Sequence, residues 1–136
     1  MKIIQIVGRS NSGKTTFIKE LIPLLKKRGE VAVIKHLGDH QYLLEKEKDT
    51  SGFFDAGAGI SVGIDTDKAV VVIRTNILDR ILQLLADQRM DFVIIEGFKQ
   101  RQFPKIVIGD LIAEGCVLTN PTTDKVINSL DLFENY

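Results

Sequence analysis

A chain of 136 residues, 44% hydrophobic and 26% charged, has the make-up of one globular domain with one core. Its 18 basic and 18 acidic residues give a formal net charge of +0, so the whole chain advertises no nucleic-acid and no membrane partner. The single cysteine, Cys116, excludes an internal disulfide framework and a multi-cysteine zinc site.

Residues 2–7 are almost continuously apolar, as a central strand covered on both faces would be. This strand opens at the first residues and leaves no room for a signal peptide, and no apolar stretch approaches membrane-spanning length, so a cytoplasmic location is expected. The strand runs into Gly8-Arg9-Ser10-Asn11-Ser12-Gly13-Lys14-Thr15, which fits G-x-x-x-x-G-K-[ST] in the strand–loop–helix setting that this phosphate-binding motif requires. The glycines let the backbone wrap closely around phosphate, so that successive N–H groups form an anion nest at the positive end of a helix. Gly8, Asn11, Ser12, Gly13, Lys14, Thr15 and Thr16 are the expected nucleotide-binding residues of this loop. Lys14 would reach the β- and γ-phosphates and the Thr15 hydroxyl would ligate Mg²⁺.

The pattern then predicts a helix over 14–28, with Phe17, Leu21, Leu24 and Leu25 on its inner face and Ile18 and Ile22 beside them. Pro23 should bend it, and Gly29 fits the C′ position. A second apolar strand, 31–36, ends in Lys35 and His36, on the rim where ligands of parallel sheets gather. Residues 37–48 read as a polar loop, and Asp49-Thr50 as the start of a short helix ending near Gly57 or Gly59. Residues 60–74 alternate as a β-hairpin around Asp65-Thr66-Asp67-Lys68. Asn76 is expected to cap a helix over 77–88 with Ile77, Ile81, Leu84 and Leu85 inward.

The next strand, 92–95, delivers Glu96 to the carboxyl rim and leaves Asp91 at the far end. A phosphate loop needs an acid on a neighbouring strand for Mg²⁺ or its water shell, so Glu96 is the second metal candidate beside Thr15. Lys14 and Glu96 are the catalytic candidates, and Gly97 would let the chain pass close to the γ-phosphate. Lys35, His36 and Asp49 are expected to approach the phosphates or a second substrate. His36, Asp39 and His40 do not make a convincing metal cluster, because a loop follows His36 and no third strong ligand is evident. Two short strands, 105–108 and 116–118, and a weak helix from Thr123 or Asp124 complete the chain, with Cys116 expected to be buried. Asn120-Pro121-Thr122-Thr123-Asp124 lacks the lysine of the N-K-x-D guanine motif and is one residue too long, so it reads as a turn and helix cap. The expected fold is α/β, a P-loop NTPase three-layer sandwich with a mostly parallel sheet and an inserted antiparallel hairpin, forming a single nucleotide-binding domain over 1–136.

Gly8–Thr16, Ile34-Lys35-His36, Lys48-Asp49-Thr50, Ala56-Gly57-Ala58 and Glu96-Gly97-Phe98-Lys99, in that order over residues 1–108, resemble the MobB family of molybdopterin-guanine dinucleotide biosynthesis. The resemblance implies a homodimeric, GTP-binding, slowly hydrolysing accessory protein. It implies Mg²⁺ and molybdopterin as further ligands, and as partner the nucleotidyltransferase that joins GMP to molybdopterin. The chain departs from the family at Leu37-Gly38-Asp39-His40 and at Phe53-Phe54-Asp55, where an arginine is usual. Two other functions use the same loop: a metallochaperone-type GTPase and a small-molecule kinase with residues 37–55 as its lid.

Overall fold

The elements run in chain order as β1 (Lys2–Val7), α1 (Lys14–Lys26), β2 (Val31–Lys35), α2 (Asp49–Asp55), β3 (Ile60–Ile64), β4 (Ala69–Ile73), α3 (Leu78–Asp87), β5 (Phe92–Glu96), β6 (Lys105–Val107), β7 (Cys116–Thr119) and α4 (Thr123–Ile127). The computed structural model describes residues 1–38, 40–44 and 49–136, and two compact units make it up. Residues 1–38 and 81–136 form the first unit, and residues 39–80 the second.

The first unit holds a five-stranded sheet in the order β2-β5-β1-β6-β7, all parallel. β1 lies at its centre, and Ile3, Ile4, Gln5, Ile6 and Val7 are all buried, which is why the sequence there alternates so little. Strand parity sorts the core into two layers. Ile4, Ile6, Phe92, Ile94, Ile106 and Ile108 pack with Ile18, Leu21 and Leu25 of α1, Val126 of α4 and Phe133. Ile3, Gln5, Val7, Val93, Ile95, Lys105 and Val107 alternate to the opposite face and are buried as well. Burying each of the three inner aliphatic residues of α1 contributes about 1.5–3 kcal/mol. The tail returns to the sheet: Ile3 N–H donates to the Glu134 carbonyl (3.1 Å) and Lys2 Nζ to that of Phe133 (2.9 Å).

The helix α1 runs unbroken through Pro23 and ends at Lys26. Gly29 is not its left-handed C′ residue. A Cβ there would sit 2.3 Å from Asp91 Oδ2, the atom that also accepts from Glu30 N–H at 2.7 Å. The glycine is needed for close approach, and Asp91 staples the entry of β2 to that of β5. Asn76 does not cap α3 either: the helix starts at Leu78, and the local acceptor is Thr75 Oγ1 on Ile77 N–H (3.2 Å). Its buried residues are Leu78 and Leu82, while Ile77 and Leu84 are exposed. The stripe 78/81/82/85 is as apolar as 77/81/84/85, so periodicity alone cannot choose between them. Cys116, expected inside, is exposed because it opens the edge strand β7, with Sγ 3.3 Å from the Leu118 carbonyl and from Thr119 Oγ1.

In the second unit, β3 and β4 form their own antiparallel sheet. Ser61 Oγ donates to the Thr50 carbonyl (2.7 Å), seating the hairpin on α2. The Ala56-Gly57-Ala58 turn closes α2 as a Schellman motif: Ala58 N–H bonds Phe53 O (3.1 Å) and Gly57 N–H bonds Phe54 O (3.0 Å), with Gly57 at φ 112°. Arg74 lies 4.0 Å over the Phe54 ring and donates to the Phe54 carbonyl.

Candidate functional site

Three strands of the first unit bring their carboxyl ends to one rim. β1 delivers the glycine-rich loop, β5 delivers Glu96, and β2 delivers Lys35 and His36. The loop's shape follows from its residues. Ser12 N–H turns back onto the Arg9 carbonyl (3.3 Å), and Asn11 stands at φ 60° and Gly13 at φ 91°. Both are left-handed, which asparagine tolerates and glycine adopts freely. Gly13 is the N-cap of α1, and its carbonyl accepts the Phe17 N–H (3.0 Å). The first N–H groups of a 13-residue helix therefore face the loop with no side-chain cap of Gly13's own. Lys14 folds across this turn, Nζ donating to the Arg9 carbonyl at 2.5 Å and lying 3.5 Å from Ser12 Oγ. Thr15 and Thr16 are exposed in the helix's first turn. Backbone amides, an ammonium and the positive end of a helix together can hold a polyanion.

The loop is closed on one side by residues the motif does not name. A Cβ on Gly8 would lie 2.3 Å from the Ile108 carbonyl oxygen and 2.6 Å from Ser12 Oγ, so only glycine fits between β1 and β6. Gly109, at φ 95°, continues this wall, and a Cβ there would come 3.2 Å from Ser12 Cβ. Asn120 holds the wall with two side-chain bonds, Gly109 N–H to Oδ1 (2.7 Å) and Nδ2 to the Gly109 carbonyl (3.0 Å). The stretch after Asn120 is a turn and cap, as expected: Thr122 Oγ1 accepts from Lys125 N–H (3.2 Å) at the start of α4. Arg9 points outward to Asp110, Nε to Oδ1 3.1 Å, with both side chains more than two thirds exposed.

Glu96 is the last residue of β5, in register with Ile6 on β1 and Lys35 on β2. Its parity is that of Phe92 and Ile94, which face α1, and only 13% of its side chain is exposed. Lys35 Nζ lies 3.7 Å from Glu96 Oε1. The turn behind the acid is tightly specified. Gly97 stands at φ 95°, where a Cβ would come 2.9 Å from His36 Cβ, and Phe98, at φ 49°, stacks on the His36 ring with centroids 4.2 Å apart. Beneath them, buried Gln5 donates from Nε2 to the carbonyls of Gly97 (2.7 Å) and Phe98 (2.8 Å). Gln5 was hidden in the sequence as a polar residue inside the apolar run Ile3–Val7, and its Oε1 has no partner among the described residues. His36 is thereby a stacking residue as well as a rim residue.

Asp49 opens α2 in the second unit, exposed. Asp39 and Lys48 fall outside the described residues, and among the described residues no group of three or more His, Cys, Asp or Glu is placed to hold a metal ion. No helix among them is long and apolar enough to cross a membrane.

Such a molecule is an α/β protein of the parallel-sheet class whose polar groups gather where the strands end. The model of the family described as MobB, molybdopterin guanine dinucleotide synthesis protein B, matches residues 3–127, past the 1–108 over which motifs are recognisable by eye. The chain belongs to this family. A Methanocaldococcus jannaschii relative is 39% identical over 112 residues, 79% of this chain and 47% of its own length. The molybdopterin-guanine dinucleotide biosynthesis adapter protein of Haemophilus influenzae is 34% identical over 111 residues, 78% of this chain and 62% of its own. The chain thus spans about half to two thirds of the length of these relatives. Among solved structures, the fold is similar to that of Bacillus subtilis MobB, with TM-score 0.73 at 22% identity over 100% of both chains. A crystal structure of molybdopterin-guanine biosynthesis protein B matches with TM-score 0.65 and 26% identity over 96% of this chain and 95% of that one.

Proposed function

We propose that this chain is a nucleotide-binding adapter of molybdopterin-guanine dinucleotide formation, which binds GTP with Mg²⁺ in the loop 8–16 and serves the enzyme that joins GMP to molybdopterin. The observation that carries this reading is the fit of the loop: Gly8 lies against the Ile108 carbonyl with no room for a Cβ, and the start of α1 opens onto the same turn. In this reading the loop amides of Asn11, Ser12, Gly13, Thr15 and Thr16 and the Lys14 ammonium take the phosphates. Thr15 Oγ1 and the Glu96 carboxylate are hard oxygen donors of the kind Mg²⁺ prefers. Mg²⁺ bound there would neutralise phosphate charge. Lys35, beside Glu96, adds a cation at the rim.

Turnover is expected to be slow. Arg9, the cation inside the loop, is turned onto Asp110 rather than toward Lys14. His36 is stacked on Phe98, which leaves it poorly disposed to orient a water. Asp49, at the start of α2, and molybdopterin belong to the same proposal, as a further binding residue and a second ligand. Support for the adapter role comes from the family and from the names of the relatives.

The protein is proposed to act as a homodimer. Ile60, Val62, Ile64, Ala69, Val71 and Ile73 pair across one face of the hairpin, and Ile60, Val62, Ile64 and Val71 are 59%, 48%, 80% and 51% exposed. An apolar face of this kind is suited to a second copy. Calorimetry of MgGTP with the wild type and with Lys14→Ala tests the nucleotide reading. Saturable binding weakened at least tenfold, about 1.4 kcal/mol, by the substitution supports it, and equal affinity of the two proteins removes the site from the loop.

A further inference from the structure

We propose that the protein carries a second anion site, apart from the glycine-rich loop, that takes the phosphate of a small organic phosphate monoester. A cavity of about 580 Å³ opens between the connections that lead into and out of β6, with Lys99, Arg101, Lys105, Ile112, Glu114 and Gly115 in its lining. That volume is the size of an ordinary small-molecule site.

The floor residue carries the argument. Lys105 is 3% exposed, and its Nζ donates to the Arg101 carbonyl at 2.7 Å. No carboxylate lies within ion-pair distance of it among the described residues. An ammonium has three N–H donors and this one has a single carbonyl, so a buried positive charge faces the cavity without its counter-charge. Buried cations are ordinarily paired, and a ligand anion would supply the missing partner. Gly115, at φ 73°, lies beside the lysine stem, where a Cβ would make ordinary contact, 3.7 Å, with Lys105 Cε. Lys99 and Arg101 add two basic side chains to the lining, which also holds the acid Glu114. The unpaired Lys105 ammonium beside further basic side chains suits an anionic group such as the phosphate of a monoester. Ile112, 97% exposed, adds apolar surface for the organic part of the ligand, which a free phosphate would not use.

The site is distinct from the loop. Lys105 pairs with Gln5 and shares its face of the sheet, opposite α1, whereas the loop follows Val7 and leads into α1. None of its residues belongs to the nucleotide reading, and it stands or falls independently.

The test is an amide-shift titration of the Lys14→Ala protein with phenyl phosphate, the substitution serving to weaken anion binding at the loop. Saturable shifts at Ile112 and Gly115, weakened at least tenfold in a protein that also carries Lys99→Gln and Arg101→Gln, are expected. The rest of the spectrum reports whether that protein keeps its fold. Shifts that never saturate, that vanish with Lys14→Ala alone, or that survive both charge removals overturn the site. Inorganic phosphate binding as tightly as phenyl phosphate overturns its assignment to an organic monoester.

Discussion

At the scale of single residues, the two glycines of the loop do different work, and substitution separates them. Gly8→Ala drives a methyl group into the Ile108 carbonyl, backbone against backbone, so neither side can yield cheaply. A loss of about 1–3 kcal/mol is expected in urea unfolding. Gly13→Ala meets nothing within 4 Å and costs only its φ of 91°, about 1 kcal/mol. Gly8→Ala should therefore be the more damaging; the reverse order would contradict the described wall. Asn120→Ala removes both bonds to Gly109 and should cost about 1–3 kcal/mol by the same measurement. Asn120→Gly would keep the backbone conformation, φ 45°, and still lose the bonds. If it restored full stability, the clamp would be irrelevant. The motif residues were legible in the sequence because their geometry is local. Asn120 and Gly109 lie eleven positions apart and meet only because β6 and β7 run parallel, so no spacing rule finds them.

At the scale of elements, legibility follows burial. β1 and β5 are covered on both faces, and their nearly continuous apolar runs could be read directly. The buried face of α3 could not, because two neighbouring stripes were equally apolar. Gln5 was opaque for a related reason. A polar residue in an apolar strand gives no hint that it will carry the turn after another strand, 92 positions away. The hairpin turn was readable and also titrates. The carboxyl of Asp65 is held below its usual value chiefly by Lys68 Nζ (2.8 Å), and further by the N–H groups of Asp67 and Lys68 (2.8 Å each). A depressed carboxylate stabilises the fold above its unfolded value and loses that contribution as pH falls through the folded one. The Asp67 and Lys68 amides should therefore shift together, on acidification, below the ordinary carboxylate range. A midpoint at or above that range would contradict the arrangement. Lys68→Met should raise the midpoint, as it removes the largest cause.

At the scale of the whole molecule, the class of fold was readable from alternating strands and helices, but the strand order was not. β5 inserts between β2 and β1, a placement decided by packing rather than by neighbourhood in sequence. The hairpin's apolar face is the feature of this scale with the plainest consequence. Val62→Lys with Ile64→Lys puts two charges on that face, and sedimentation of the pair should show monomer where the wild type shows dimer. A monomeric wild type, or a dimer untouched by the charges, would contradict the proposed assembly. The central claim concerns the rim, where loop, acid and lysine come from three adjacent strands. Titration of labelled protein with MgGTP, followed at each backbone amide, tests it most directly. Saturable shifts concentrated at Gly8–Thr16 and at Glu96–Gly97 are the predicted result. Absence of saturable shifts, or shifts confined to residues away from that rim, would contradict it.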